Sequence, residues 1–218
     1  MNFDIDKLGI ALAGHSAGAY KALLYSYYIK NNSPIKVKFV INLCAQATMD
    51  PQFWFKFKNS EDSLEKIDQE TVDKAIKEGI LIPMNDNEGI NLIYMNLFIG
   101  GIFNEKDLKE MVDKDGKIKR NNEKYIKFSK KVEKIYPVYN ICKESVPTIN
   151  VCAGRDVGVS VCQAMILKKK LDENNIRNDF IYMRYGGHML NDFETEDGIE
   201  SLRKIHYSIL LYDQNYFK

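Results

Sequence analysis

The sequence predicts an α/β fold: a mostly parallel sheet with helices on both faces, interrupted by a helical insertion. Three observations carry this. Near the start, a short apolar run ends in a glycine-rich turn, leads into a helix, and is followed by a second apolar run. The same texture returns in the last third of the chain. Between them lies a long stretch with helical spacing, high charge and no convincing strand. Continuous apolar runs of this length read as strands buried on both faces, and strand–helix–strand crossovers make them parallel.

The elements follow in order. Leu8 to Ala13 is the first strand, Ala17 to Lys30 a helix stopped at Asn31-Asn32-Ser33-Pro34, and Val37 to Cys44 the second strand. In the insertion, Leu64, Ile67, Val72, Ala75 and Ile76 approximate a helical stripe. Ile90 to Phe103 is a more hydrophobic helix that either lines a pocket or packs on the core. Lys106 to Ile135 is charged and helical in parts, with a turn at Asp115-Gly116. Pro147 to Ala153 is the third strand, Val161 to Asn174 an amphipathic helix, Asp179 to Tyr185 the fourth strand, and Glu194 to Tyr212 a closing helix. The organisation is therefore core over 1–49, insertion over 50–136, and core again over 137–218.

Size and composition agree. At ~150 residues per domain, 218 residues suit one domain with a large insertion. Thirty-one basic and thirty acidic residues leave a formal charge of +1, which removes the electrostatic case for nucleic acid or an anionic membrane. Ile90 to Phe103 is too short for a membrane span and contains Asn91 and Asn96. Met1-Asn2-Phe3-Asp4 does not open a signal peptide. Cys44, Cys142, Cys152 and Cys162 form no CxxC pair, so zinc and thioredoxin-like chemistry are not indicated. Four reduced thiols, at least two of them in buried strands, and a cytoplasmic location are the expectation.

Gly14-His15-Ser16-Ala17-Gly18 matches G-x-S-x-G and stands between a predicted strand and a predicted helix, the setting of a nucleophile elbow. A serine at such a turn is strained and pushed outward, and the helix behind it offers free N–H groups to a developing oxyanion. The base is found by elimination among three histidines. His15 adjoins the serine, where neighbouring side chains point apart, and is assigned a structural role. His206 lies inside the last helix. His188 follows the fourth strand in Tyr185-Gly186-Gly187-His188, at the strand end where open parallel sheets build their sites. Asp156 follows the third strand in Cys152-Ala153-Gly154-Arg155-Asp156 and precedes His188 by one helix and one strand. Asp192 is the alternative acid. Asp113-Lys114-Asp115-Gly116 looks like a calcium loop but has Met111 and Asn122 at the end-ligand positions, so it is a turn.

Phe3 to Gly18, Val146 to Asp156 and Tyr185 to His188 together resemble the alpha/beta-hydrolase family. More narrowly, they resemble its esterase and lipase branch, which includes hormone-sensitive-lipase-like carboxylesterases and acetyl esterases. The resemblance covers roughly Phe3 to Met49 and Tyr136 to the end, with the insertion in the family's lid position. It implies nucleophile Ser16, acid Asp156, base His188, an oxyanion donor at the Ala17 N–H, and no metal or organic cofactor. In this family several strands precede the elbow, and a loop, often His-Gly-Gly-Gly, supplies further oxyanion donors. Here about one short helix precedes the elbow strand, so half the sheet and that loop are expected to be missing, and Gly100-Gly101 and Gly186-Gly187 are misplaced to replace it. The elbow strand would then have an open edge able to pair with a second copy or a partner chain.

The leading functional expectation is a serine hydrolase that cleaves small-molecule carboxylic esters. The alternatives are an N-terminally truncated fragment or pseudoenzyme without turnover, or an acyltransferase or thioesterase on the same fold.

Overall fold

The computed structural model describes residues 9–29, 34–48, 50, 53–84 and 88–217. The segment before the first strand, Asn31 to Ser33 and Met49 lie outside these residues. Four parallel strands form the main sheet: β1 (Ile10–His15), β2 (Val37–Leu43), β5 (Thr148–Ala153) and β6 (Asn178–Met183), in the order β1-β2-β5-β6. Because all four run the same way, the turns after β1, β5 and β6 emerge at one edge of the sheet.

Helices cover both faces, and the two-residue period of the strands decides which residue meets which helix. Val40 of β2 joins Ala19, Ala22 and Leu23 of α1 (Ala17–Leu24) and Leu167 and Leu171 of α6 (Val161–Glu173) in one core cluster. Phe39 of β2, Ile149 and Val151 of β5, and Ile181 and Met183 of β6 form the other, closed by Tyr212 of α7 (Glu196–Tyr216). Every residue of β5 is buried. β1 differs from expectation: Ala11 and Ala13 are exposed, so the strand is not buried on both faces. Among the described residues it has one strand neighbour, β2, and a run of small apolar side chains does not reveal that. The first helix is also shorter than its apolar pattern predicts. After Leu24 it widens into a π-helical turn, Tyr25–Ile29, where the Ser26 hydroxyl donates to the Ala22 carbonyl at 2.7 Å.

The insertion contains strands that the sequence reading did not expect. β3 (Phe55–Phe57) and β4 (Leu81–Pro83) pair antiparallel, flanking α2 (Gln69–Lys77). Three residues are too few to display a period, so Phe55-Lys56-Phe57 carries no strand signal in the sequence. The helices end as side-chain chemistry dictates. Asp68 accepts the Thr71 N–H at the start of α2, and an Asn104–Asp107 capping box opens α4 (Glu105–Glu110). Asn122 caps α5 (Glu123–Glu133). The apolar helix α3 (Glu88–Phe98) packs through Leu92 and Met95 against Met111, Phe128 and Val132, while Ile93 and Leu97 face outward. Asp113 accepts the N–H groups of Asp115 and Lys117, so the calcium-loop lookalike is a turn, as expected.

Hydrogen bonds fasten the insertion to the sheet layer. The Tyr20 hydroxyl donates to Ile135 O at 2.6 Å, Trp54 Nε1 to Thr48 O at 3.0 Å, and the Tyr182 hydroxyl to Leu64 O at 2.9 Å. No helix among the described residues is long and apolar enough to cross a membrane.

None of the four cysteines is in a disulfide. Cys152 lies in β5, Cys162 in α6, and Cys44 just past β2 at a φ of 56° rather than within the strand. Burial pushes the thiols of Cys44, Cys152 and Cys162 up, so little reactive thiolate forms. Iodoacetamide is therefore expected to modify Cys142 first and the other three only in denaturant, as peptide mass mapping would reveal. Ile149→Ala should cost about 2–5 kcal/mol in urea unfolding. Ile93→Ala, on the exposed face of α3, should stay within about 0.5 kcal/mol.

Candidate active site

Ser16 sits at the turn from β1 into α1, with φ 53° and ψ −122°. This conformation is sparsely populated for any residue with a Cβ and costs about 1–3 kcal/mol. Two main-chain bonds hold it. The Ser16 N–H donates to Leu43 O at 2.9 Å, extending the β1–β2 ladder, and Ser16 O accepts the Tyr20 N–H at 3.0 Å, opening the helix. Gly14 makes the reversal sterically possible, since a Cβ there would lie 2.4 Å from the carbonyl carbon of Gly18. Gly18 has no such constraint; a Cβ there meets nothing within 4 Å. As the first residue of α1, Ala17 has an N–H without an intrahelical acceptor, and the residue is exposed.

Asp156 follows β5. Gly154 lets the chain turn there, because a Cβ would lie 2.0 Å from Arg184 O. One carboxylate oxygen, Oδ1, accepts the N–H groups of Gly158 and Val159 at 2.7 and 2.8 Å. The other, Oδ2, lies 2.7 Å from Nδ1 of His188, which follows β6. A carboxylate facing Nδ1 places the ring proton there and leaves Nε2 as the free lone pair. The Asp156 side chain is 1% exposed and that of His188 28%, so the pair is buried at the carboxylate and open at the imidazole. The two loops are braced together: Arg155 N–H donates to Gly186 O at 2.9 Å, and the Arg155 and Arg184 guanidiniums lie over the Tyr185 ring.

Two residues stand beside the Asp156–His188 pair without any sequence signal that puts them there. His15, assigned a structural role, lies against His188. Its Nε2 is 2.7 Å from His188 O, and the two rings are 4.8 Å apart between centroids. A strand-to-helix reversal turns the side chain before the serine toward the loop after β6, a direction that sequence spacing alone does not encode. The Cys44 thiol lies beside the Asp156 carboxylate and is held protonated first by its burial and then by that negative charge. Ligand atoms of Cys44, Asp156 and His188 all fall within 4.8 Å of one another, close enough for a metal ion. The carboxylate is committed to two main-chain N–H groups and the imidazole, and the thiol carries its proton, so these groups satisfy one another.

The remaining candidates separate cleanly. Asp192 accepts from the Thr195 N–H and hydroxyl at the start of α7 and is engaged there rather than with His188. His206 is exposed on α7. The structure thus brings Asp156 and His188 into direct contact. Ser16 is next to His15, which touches His188, but among the described residues the Ser16 hydroxyl makes no hydrogen bond to His188. Such bonds are often long in unliganded sites and tighten on binding.

No protein-family model matches the chain, and no curated protein matches it in sequence. Solved structures do. A truncated form of a carbohydrate esterase from gut microbiota superposes with a TM-score of 0.54 at 15% identity, covering 94% of this chain and 62% of its own. An acylaminoacyl peptidase in complex with Z-Gly-Gly-Phe-chloromethyl ketone gives a TM-score of 0.53 at 13% identity, over 98% of this chain and 24% of its own. An esterase from the Planctomycetes species Thermogutta terrifontis gives 0.50 at 11% identity, over 95% and 57%. The chain thus spans less than two thirds of the length of each of these structures. Their shared architecture, matched by a parallel sheet with a strained strand-to-helix serine and helices on both faces, is the alpha/beta-hydrolase fold, and this chain has that fold.

Proposed function

We propose that the chain carries the catalytic triad of a serine hydrolase acting on small-molecule carboxylic esters, with Ser16 as nucleophile, His188 as base and Asp156 as acid. The observation that carries the reading is the 2.7 Å contact between His188 Nδ1 and a buried Asp156 carboxylate, set beside a serine in the strained elbow conformation. In this mechanism His188 Nε2 takes the Ser16 proton as Oγ attacks the ester carbonyl. Asp156 holds the tautomer and stabilises the imidazolium. The Ala17 N–H, backed by the α1 dipole, donates to the oxyanion. His188 returns the proton to the leaving alcohol, and the acyl-serine is then hydrolysed by water that His188 activates. Val157 and Met189, each 69% exposed, flank acid and base and offer apolar contact to a substrate. Four cysteines outside any disulfide fit a reducing compartment such as the cytoplasm.

A second reading has its own observation. The outer edge of β1 is unpaired among the described residues, and one oxyanion donor can be assigned. In this reading turnover requires another strand on that edge, from a second copy, a partner chain or another part of a longer protein. Losing one oxyanion donor typically costs ~10²–10³ in rate.

The test is intact-mass spectrometry after exposure to a fluorophosphonate. One adduct on the wild type and none on Ser16→Ala is the expected result. Absence of an adduct on folded wild-type protein would reject the active reading. Asp156→Asn should slow labelling by roughly 10³–10⁴-fold, because the amide no longer enforces the productive tautomer.

A further inference from the structure

We infer that His15 is a positioning residue: it ties the loop bearing the base to the strand bearing the nucleophile, an inference that rests on the serine-hydrolase reading above. His15 is the last residue of β1, directly before Ser16. Its Nε2 lies 2.7 Å from the main-chain carbonyl of His188. A carbonyl oxygen accepts, so Nε2 carries the proton and donates. Neutral and protonated rings can both offer that donor. The same ring stands 4.8 Å from the His188 imidazole at an interplanar angle of 52°, so one side chain contacts both the main chain and the ring of the base.

The loop it holds needs such an anchor. Gly186 and Gly187 lead into it with wide conformational freedom. Met189 is 69% exposed and contributes little packing. Leu190 has a φ of 52°, a left-handed conformation that leucine keeps only when its surroundings impose it. Leu190 is buried in the core cluster with Phe39 and Met183, while the loop's other hydrogen bonds fix it to itself or to the acid. Leu190 N–H donates to Gly187 O, Arg155 N–H to Gly186 O, and His188 Nδ1 meets Asp156. Among the described residues, the His15 bond is the side-chain hydrogen bond that joins this loop to β1. Without it the acid and base keep their mutual contact, but the separation between Ser16 Oγ and His188 Nε2 loses its direct link. Misplacing reacting groups by about 1 Å costs on the order of a hundredfold in rate.

Simple packing makes a different prediction, since any ring of similar size would then serve. His15→Phe retains a ring without the donor. His15→Gln returns an amide N–H at about the reach of Nε2. The measurements are fluorophosphonate labelling rate by intact mass, amide hydrogen exchange across residues 186–191, and thermal midpoint. His15→Phe is expected to label about ten- to a hundredfold more slowly and to exchange faster across 186–191. His15→Gln should return both within a few-fold of wild type. If His15→Phe does not fold, His15→Met against His15→Gln carries the same comparison. Labelling of the donor-free variant at the wild-type rate overturns the inference while leaving the hydrolase reading intact. So does His15→Gln remaining as slow as the donor-free variant. A wild type that takes no adduct removes the hydrolase reading itself, and the positioning role with it.

Discussion

Holding a serine at φ 53°, ψ −122° costs free energy in proportion to how rarely such a conformation is visited, so something must impose it. Here the elements on either side of the turn impose it. β1 is registered on β2 from Ile10 through His15, and α1 is pinned by Ala19 and Leu23, both fully buried. With the strand fixed by its ladder to β2 and the helix by its packing, Gly14 is the residue that lets them approach closely enough. The strain is thus a by-product of a strand held by its ladder and a helix held by its packing meeting at a fixed angle. Whatever loosens the α1 face of the core relaxes the serine.

The acid is positioned by different means. β5 is buried throughout and paired on both sides, and polar side chains in the interior set the geometry of the loops around it. Asn42 Nδ2 donates to Asn150 Oδ1 at 2.8 Å, Asn150 Nδ2 to Ala164 O at 2.9 Å, and Gln163 Oε1 accepts the N–H groups of Ala47 and Thr48. Each amide has partners, so the burial carries no uncompensated polar group at these atoms, and the arrangement admits few alternatives. This ladder links β2, β5 and α6 beneath the site. Asp156 emerges from it already committed to two main-chain donors, with one oxygen left for His188.

Legibility in the sequence tracked how local each signal was. Ser16 could be read because the elbow is a five-residue pattern with a strand before it and a helix after it. The Asp156–His188 contact could be anticipated because both follow strands of one parallel sheet, and position at a strand's C-terminal end brings such residues together without any knowledge of side chains. Asp192 offered the same nearness in sequence to His188, but its carboxylate is taken by Thr195, a short-range bond visible only once the start of α7 is defined. His15 and Cys44 escaped for a further reason. Their proximity to the dyad depends on backbone angles at two strand ends, at Ser16 and at Cys44 itself, both with positive φ. The exposure of Ala11 and Ala13 escaped because an alanine run is compatible with a buried or an open face alike. β3 and β4 are held by contacts between Phe55, Phe57 and Leu81 and the α2 and α6 side chains of the same cluster, a tertiary cause with no short-range pattern.

The three site residues are consequently not supported alike. Asp156 follows a strand with a neighbour on each flank, whereas among the described residues Ser16 follows one paired along a single side. A strand held this way behaves as a cantilever: displacement grows with distance from the attached edge. Asp156 then rests on the stiffest support of the three, while Ser16 and His188 both follow the outer strands of the described sheet.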